Sequence, residues 1–125
     1  MDSTTTRVQK DTAETYHINH PAASYGIFCF NSNGDLFLNS DWGFYCYPWR
    51  GYGNGTFKDF LRTCSADYLV QKFAIIHNQD RKNSEWLKGI RLEKVTTLLQ
   101  AFIDALNEEY LKSIETIVDD GSGKE

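Results

Sequence analysis

The middle of the chain alternates apolar and polar positions in short runs. Aromatic and β-branched residues in 25–30 predict a first strand, 36–40 predicts the strand that returns from it, and the aromatic-rich segment 44–49 predicts a third. A turn at 41–43 joins the second segment to the third, so the three are expected to form an antiparallel meander. Pro48 lacks the N–H that a central strand donates, and the third strand should therefore end there or lie at a sheet edge.

An Asn-Gly pair at 33–34 joins the first two strands. This dipeptide favours a two-residue type I′ turn, because both central residues of that turn need positive φ. The length of the turn sets the register of the hairpin. It predicts that Cys29 lies opposite Leu38 and that Phe30 lies opposite Phe37.

After the strands the apolar spacing changes to three and four residues, which is typical of helices. Thr56 and Ser65 each precede such a segment and can cap a helix, the second of them over 66–74. A long apolar stripe near the C-terminus predicts one amphipathic helix, or two helices with a break near Asn107. The stripe consists of Leu92, Val95, Leu99, Phe102, Leu106, Tyr110, Ile114 and Ile117.

Strands followed by helices are the order of an α+β domain. The sequence therefore predicts an α+β fold in which a three- to four-stranded antiparallel meander packs against C-terminal helices, one of them long and amphipathic. Residues 1–16 are polar and are predicted to be a flexible N-terminal arm, which could add a short strand through Tyr16 and Ile18. Residues 17–120 are predicted to form a single domain, and 121–125 a frayed tail.

Charge and hydropathy argue against several classes of function. The 125 residues include 13 Lys and Arg against 17 Asp and Glu, which gives a net charge of −4. A domain that binds by neutralising phosphates needs a surplus of cations, so this balance argues against that class. The N-terminus does not resemble a secretory signal, and no segment is apolar enough to cross a bilayer. We therefore expect a cytoplasmic protein with no membrane partner.

Three cysteines, Cys29, Cys46 and Cys64, are an odd number, which argues against a secreted disulfide framework. His17 and His20 are close in sequence and could begin a metal site. Zinc needs three or four ligands, however, and no second paired motif supplies them. We expect no metal and no cofactor.

A small Cys/His hydrolase is one alternative function. Cys46 or Cys64 could act as a nucleophile with a histidine such as His77, but both cysteines follow or interrupt apolar segments, which favours a buried structural role. The glycine-rich loop at 51–55 invites comparison with a phosphate-binding loop. It lacks the Lys-Ser/Thr ending of such a loop, so its glycines are interpreted as a tight connection.

The densest aromatic segment is 42–52, where rings are interleaved with an arginine. Core packing is expected to account for part of it, and the remainder has the residue types that are enriched at protein–protein hot spots. The long helix ends in an acidic segment, 104–120, that can present carboxylates to a basic partner. The candidate partner-binding residues are Trp42, Tyr45, Tyr47, Trp49, Arg50, Tyr52, Glu108 and Glu109.

Residues 81–94 are basic by contrast, with five cations against two acids. Together with the aromatic segment they leave a second alternative, a nucleic-acid-associated accessory protein that stacks bases. The apolar stripe of the long helix also extends past what a small sheet can cover, and this favours a homodimer.

Three short motifs follow one another between residues 40 and 72: Ser-Asp-Trp-Gly at 40–43, Phe-x-x-Phe-Leu at 57–61 and Tyr-Leu-x-x-Lys at 68–72. With the alternating aromatics after the first motif, this pattern resembles a group of small uncharacterised proteins of bacteriophages and prophages. The resemblance covers about residues 25–74 and brings no catalytic residue. It implies a phage origin and an accessory role, such as the inhibition of a host defence.

The sequence therefore favours a non-catalytic, phage-encoded protein that docks on a larger protein complex. An inhibitor of anti-CRISPR or anti-restriction type, with a host nuclease or defence complex as its partner, is the most specific form of this hypothesis. The nucleic-acid-associated protein and the Cys/His hydrolase remain as alternatives.

Overall fold

The computed structural model describes residues 5–122 and the side chains of 5–115. The predicted α+β architecture is confirmed: one antiparallel sheet in a meander is followed by helices that cover one of its faces. The strands are β1 (Ala13–His20), β2 (Ser24–Asn31), β3 (Asp35–Ser40) and β4 (Gly43–Pro48), and they pair in that order. The helices are α1 (Phe57–Thr63), α2 (Ala66–His77) and α3 (Gly89–Ser122), with a 3-10 turn at Asn83–Glu85 before the last.

Strand β1 begins at Ala13, inside the segment 1–16 that was predicted to be a flexible arm. Tyr16 explains the earlier start, because its ring packs on Phe30 and Phe102 with centroids 5.9 Å and 5.7 Å away. An ordered edge strand that buries an aromatic ring stabilises the fold, whereas a loose arm would leave the ring in water. Of the predicted tail at 121–125, the first two residues belong to α3 and the last three lie outside the described residues.

The register predicted for the β2–β3 hairpin is wrong by one residue. Phe30 lies opposite Leu36, and Cys29 lies opposite Phe37. Gly34 has a φ of 98°, whereas Asn33 keeps a negative φ, so the connection is not a type I′ turn. A three-residue loop replaces it, because the Asn31 side chain accepts the Asn33 N–H at 3.0 Å and the Asp35 N–H at 3.1 Å.

The core lies between the inner face of the sheet and the three helices. Phe102 stacks on Phe28 with ring centroids 4.3 Å apart, and both rings are fully buried. Burial of each such side chain contributes about 1.5–3 kcal/mol. The sheet supplies Phe28, Phe30, Leu36, Leu38 and Tyr45 to this core, and α3 supplies Val95, Leu98, Leu99, Phe102, Ile103 and Leu106.

Both predicted helix caps are confirmed. The Thr56 hydroxyl accepts the Asp59 N–H at 3.1 Å, and the Ser65 hydroxyl accepts the Tyr68 N–H at the same distance. These bonds satisfy amide groups that a helix N-terminus otherwise leaves unpaired. Helix α2 runs to His77, one turn beyond its predicted end.

Helix α3 is continuous, and Asn107 causes no break. Its side-chain amide donates to the Arg62 carbonyl at 3.0 Å and to the Ile103 carbonyl at 3.2 Å. The polar group is therefore satisfied without a distortion of the helix. Past Leu106 the residues of the apolar stripe reach the surface at Tyr110, which is 41% exposed, and Ile114, which is 39% exposed, while Ile117 lies outside the described side chains. No helix in the described part of the chain is long and apolar enough to cross a membrane.

Candidate docking surface

The outer face of the sheet is uncovered and carries large apolar side chains. Strand geometry places alternate residues on opposite faces, and every helix packs on the inner face. Phe44 projects from the outer face with 72% of its surface exposed, and Phe37 is 47% exposed. A solvated sheet face normally carries polar residues, so these two rings mark a surface that differs from an ordinary outer face.

Two rows of paired residues run across this face. Cys29, Phe37 and Cys46 form one row, because Phe37 pairs with Cys29 on one side and Cys46 on the other. The next row joins Ile27 and Phe44 through Asn39. The apolar residues are therefore neighbours in the middle of the sheet. All of these residues except Asn39 form what we call the outer-face patch: Ile27, Cys29, Phe37, Phe44 and Cys46.

The outer-face patch contains no charged side chain. Among the outward positions of the four strands the only formal charge at neutral pH belongs to Asp35, which is bound to Arg50 at 2.9 Å on the rim. A hydrogen bond from Asn31, and then the pairing with Arg50, keep the pKa of Asp35 low. An uncharged aromatic centre with a charged rim is the arrangement found at protein–protein interfaces.

The aromatic segment 42–52, which was predicted to be a binding surface, lies mainly on the inner side of the fold. Tyr45 and Trp49 are buried, so their assignment to a partner surface is wrong. The reason is strand alternation, which turns Tyr45 towards Phe73 of α2. The Trp49 indole donates to the Tyr68 hydroxyl at 3.0 Å, which ties the end of β4 to the same helix.

The other predicted aromatics are half-buried. The Trp42 indole donates to the Ala23 carbonyl at 2.8 Å, and the Tyr52 hydroxyl donates to the Ser32 carbonyl at 3.1 Å. Tyr47 lies 5.5 Å from the Lys72 ammonium. Trp42 and Tyr52 therefore fasten turns and loops, and Tyr47 contacts α2. Arg50 is the member of the predicted set in this segment that remains on the surface.

Glu109 is engaged within the molecule. Its carboxylate accepts the Tyr16 hydroxyl at 2.7 Å and pairs with Lys58 at 2.6 Å, and Lys58 also contacts Glu14 at 3.0 Å. Lys58 and then Tyr16 lower the pKa of Glu109. Burial and the bond to Glu109 raise the pKa of Tyr16 to about 12. This cluster fastens α3 to α1 and β1.

Replacing Glu109 by Gln is expected to lower the free energy of unfolding by less than about 1 kcal/mol at neutral pH, because the pair is partly solvated. The folded state lowers the pKa of Glu109 below its ordinary value of 4.5. The contribution of Glu109 to the free energy of unfolding is therefore present above pH 4.5 and is lost as the pH falls below it. Urea unfolding at pH 7 and near pH 3 measures the difference. Glu108→Gln is the control, and an equal loss at both pH values would contradict the assignment.

Of the two carboxylates predicted to bind a partner, Glu108 is the more accessible. It pairs with Lys112 one turn along α3 at 3.1 Å, and both side chains are about 70% exposed. Such pairs contribute about 0.3–0.5 kcal/mol and exchange easily with other partners.

Cys46 and Cys64 do not form a nucleophile–base pair with His77. Burial raises the pKa of Cys64 to about 11, which keeps that thiol protonated. Cys46 lies on the outer face, whereas His77 packs against Tyr45 on the inner side with ring centroids 4.6 Å apart. In the described residues no group of three or more His, Cys, Asp and Glu could hold a metal ion.

His77 joins the end of α2 to two backbone segments. Its Nε2 lies 2.9 Å from the Glu85 carbonyl, and the backbone of Phe44 in β4 also hydrogen-bonds the ring. Burial lowers the pKa of His77, and Arg81 and Arg91 lower it further. The histidine therefore has a structural role beside the outer edge of β4.

A cavity of about 540 Å³ lies beside the glycine-rich loop, with Tyr52, Gly55 and Thr56 in its lining. Lys58 is the cation that lines it, and its ammonium already contacts two carboxylates. A phosphate would have to displace one of them, so the loop is a connection between β4 and α1, as the sequence indicated.

A family model described as a phage family matches residues 6–120. The chain belongs to this phage family. Comparisons with curated proteins and with solved structures found no match. Membership of the phage family extends the resemblance seen at 25–74 to most of the chain and agrees with a phage accessory protein.

Sequence reasoning on this member of the phage family missed the outer-face patch. Alternation along β3 and β4 was the available signal, because it separates Phe37 and Phe44 from the buried Leu36 and Tyr45. The misjudged hairpin register concealed it, since it placed Phe37 opposite the core residue Phe30.

Proposed function

We propose that this phage protein is a non-catalytic binding protein that docks its outer-face patch on a protein in the infected cell. The exposure of Phe37 and Phe44 on an uncharged sheet face supports this proposal. Burial of one phenylalanine contributes about 1.5–3 kcal/mol, so these two rings can act as anchors of an interface. Exposed apolar patches of this kind mark interaction sites in soluble proteins.

The chemistry of the patch favours a protein over a nucleic acid. Polynucleotide binding requires cations near the stacking rings, and the strands present none on this face. A partner surface with exposed aliphatic or aromatic side chains and few charges fits it best. Arg50, on the rim, can add a polar contact that fixes the orientation.

The cysteine environments support a role without catalysis. A nucleophilic thiol needs a lowered pKa and a base within hydrogen-bond reach. Cys64 has a raised pKa and donates to the Phe60 carbonyl at 3.3 Å. Cys46 projects from the face opposite His77.

The more specific proposal is that the partner belongs to a host-defence complex, of the kind that anti-CRISPR or anti-restriction proteins inhibit. Membership of the phage family supports an accessory protein, and the inhibition of a host defence by occupying a protein surface is one role that such a protein can have. The acidic Glu108 side of α3 offers a second contact to a basic region of such a complex.

The first test is capture from a bacterial host lysate after nuclease treatment, with the tagged wild type and the Phe44→Thr variant side by side. Threonine keeps the β-propensity of the exposed position and removes the ring. We expect one stoichiometric protein complex with the wild type. When the purified complex is titrated, we expect a dissociation constant at least tenfold larger for Phe44→Thr than for the wild type, as for a hot-spot residue.

Ile75→Ser is the matched control, because Ile75 is 52% exposed on α2, away from the sheet face. It should bind as the wild type does, and both variants should keep the wild-type circular dichroism. Equal binding by wild type and Phe44→Thr would exclude the outer-face patch. A captured enzyme of ordinary metabolism would exclude the defence-complex form of the proposal.

One observation favours the nucleic-acid alternative. The loop before α3 exposes Trp86, with the Lys88 ammonium 5.2 Å from its ring centroid. Base stacking on Trp86 would give single-strand binding that falls steeply with added salt. Fluorescence titration of the tryptophans against an oligonucleotide at low and high salt detects it, and an unchanged signal at low salt would exclude this function.

A further inference from the structure

Helix α3 carries charges of opposite sign about four turns apart on the side that faces away from the core. Lys94 lies in its second turn and Glu108 in its middle, seven residues on either side of Ala101. Fourteen residues are almost four turns, so the two side chains lie within about 40° of each other around the helix axis. The charges on this side of the helix are therefore complementary to those of a second copy that runs antiparallel to it.

The same side carries an exposed apolar residue beyond each of these charges. Ile90 is 59% exposed, and Leu111 is 57% exposed. They lie eleven and ten residues from Ala101, so the pattern is almost symmetrical about this residue. Neither side chain has a place in the core of its own chain.

A shallow trough of about 620 Å³ runs over the middle of this side. Thr97, Ala101 and Ala105 of α3 line it, together with His20 and the start of α2 at Ser65. Small side chains leave room for a second helix to approach closely. The trough therefore lies where a helix centred on Ala101 would cross.

We propose that α3 pairs with α3 of a second copy in an antiparallel, two-fold symmetric contact centred on Ala101. In that register Lys94 of each chain meets Glu108 of the other, and Ile90 of each chain meets Leu111 of the other. An isologous contact of this kind uses one patch twice. Two ion pairs and two apolar contacts flank the close approach at the centre.

The spacing of the opposite charges along α3 favours a second copy as the occupant. A purely basic partner would match Asp67, Asp104 and Glu108 in the trough, but it would repel Lys94 beside it. The Lys94 ammonium donates to the Ala22 carbonyl at 2.7 Å, which fixes its position and leaves two N–H groups for a carboxylate. The weak pair between Glu108 and Lys112 can be exchanged for it at little cost.

Charge exchange tests the register. The wild type should sediment at twice the 14.4 kDa of one chain, while Lys94→Glu alone and Glu108→Lys alone should each weaken dimerisation at least tenfold, because each brings like charges together. An equimolar mixture of the two variants should form a heterodimer, since both contacts are then complementary. The double variant with both substitutions should dimerise again.

Lys82→Glu changes the net charge as Lys94→Glu does but lies in the loop before α3, so it should leave the dimer intact. A monomeric wild type at the highest attainable concentration would overturn the proposal. So would a dimer that survives both single substitutions, or a mixture that shows no heterodimer. Phe44 lies on the opposite side of the molecule, and the Phe44→Thr variant should dimerise normally whether or not it binds a partner.

Discussion

Replacing Gly34 by Ala should lower the free energy of unfolding by at least about 4 kcal/mol. Gly34 has a φ of 98°, which disfavours any side chain, and a Cβ there would lie 1.9 Å from the Trp49 carbonyl oxygen. Trp49 cannot move away, because its N–H donates to the Gly34 carbonyl at 2.7 Å and its indole is buried. Urea unfolding followed by tryptophan fluorescence measures the loss.

Gly53→Ala separates the two causes. Gly53 has a φ of 86° but nothing within 4 Å of an added Cβ, so it should show only the backbone strain, about 1–2 kcal/mol. If both variants lose the same amount, the contact with Trp49 does not contribute and the described packing of this hairpin is wrong.

Phe102→Ala should lower the free energy of unfolding by about 3–5 kcal/mol. The ring is fully buried, stacks on Phe28 and makes edge-to-face contacts with Phe30 and Tyr16, which ties α3 to two strands. Phe102→Leu fills part of the cavity and should lose less. Calorimetry of the three proteins should therefore give a graded series of melting temperatures.

Phe44→Ala is the corresponding control on the outer face. Because that ring is already 72% exposed, its removal should change the free energy of unfolding by less than about 1 kcal/mol. A loss as large as that of Phe102→Ala would mean that the outer-face patch is covered in the folded protein.

Local chemistry made much of the fold predictable. Thr56 and Ser65 are strong helix caps whose hydrogen bonds form within one turn, so the sequence around them suffices. The apolar stripe from Val95 to Leu106 is long enough for its period to be unambiguous. It predicted the helix and its buried face, although it omitted Leu98 and Ile103.

The hairpin and the candidate surface depended on choices that the local pattern does not determine. An Asn-Gly pair allows a two-residue turn, but the Asn31 side chain competes by accepting two backbone N–H groups, which lengthens the loop. A shift of one residue transfers every side chain to the other face. That is why Phe37 was paired with a core residue. Tyr45 was assigned to the surface for another reason, because the density of aromatic residues at 42–52 does not show which rings the strand turns inward.

The outer edge of β4 also determines how the protein can associate. An edge strand has unpaired backbone groups to which another strand can hydrogen-bond, and an apolar face beside such an edge favours growth into fibres. Here Pro48 removes a donor at one end of the edge, and the His77 ring holds the backbone of Phe44 near the other. Strand addition at the β4 edge is thereby discouraged, so a partner reaches the exposed phenylalanines from the face of the sheet rather than by extending the sheet at this edge.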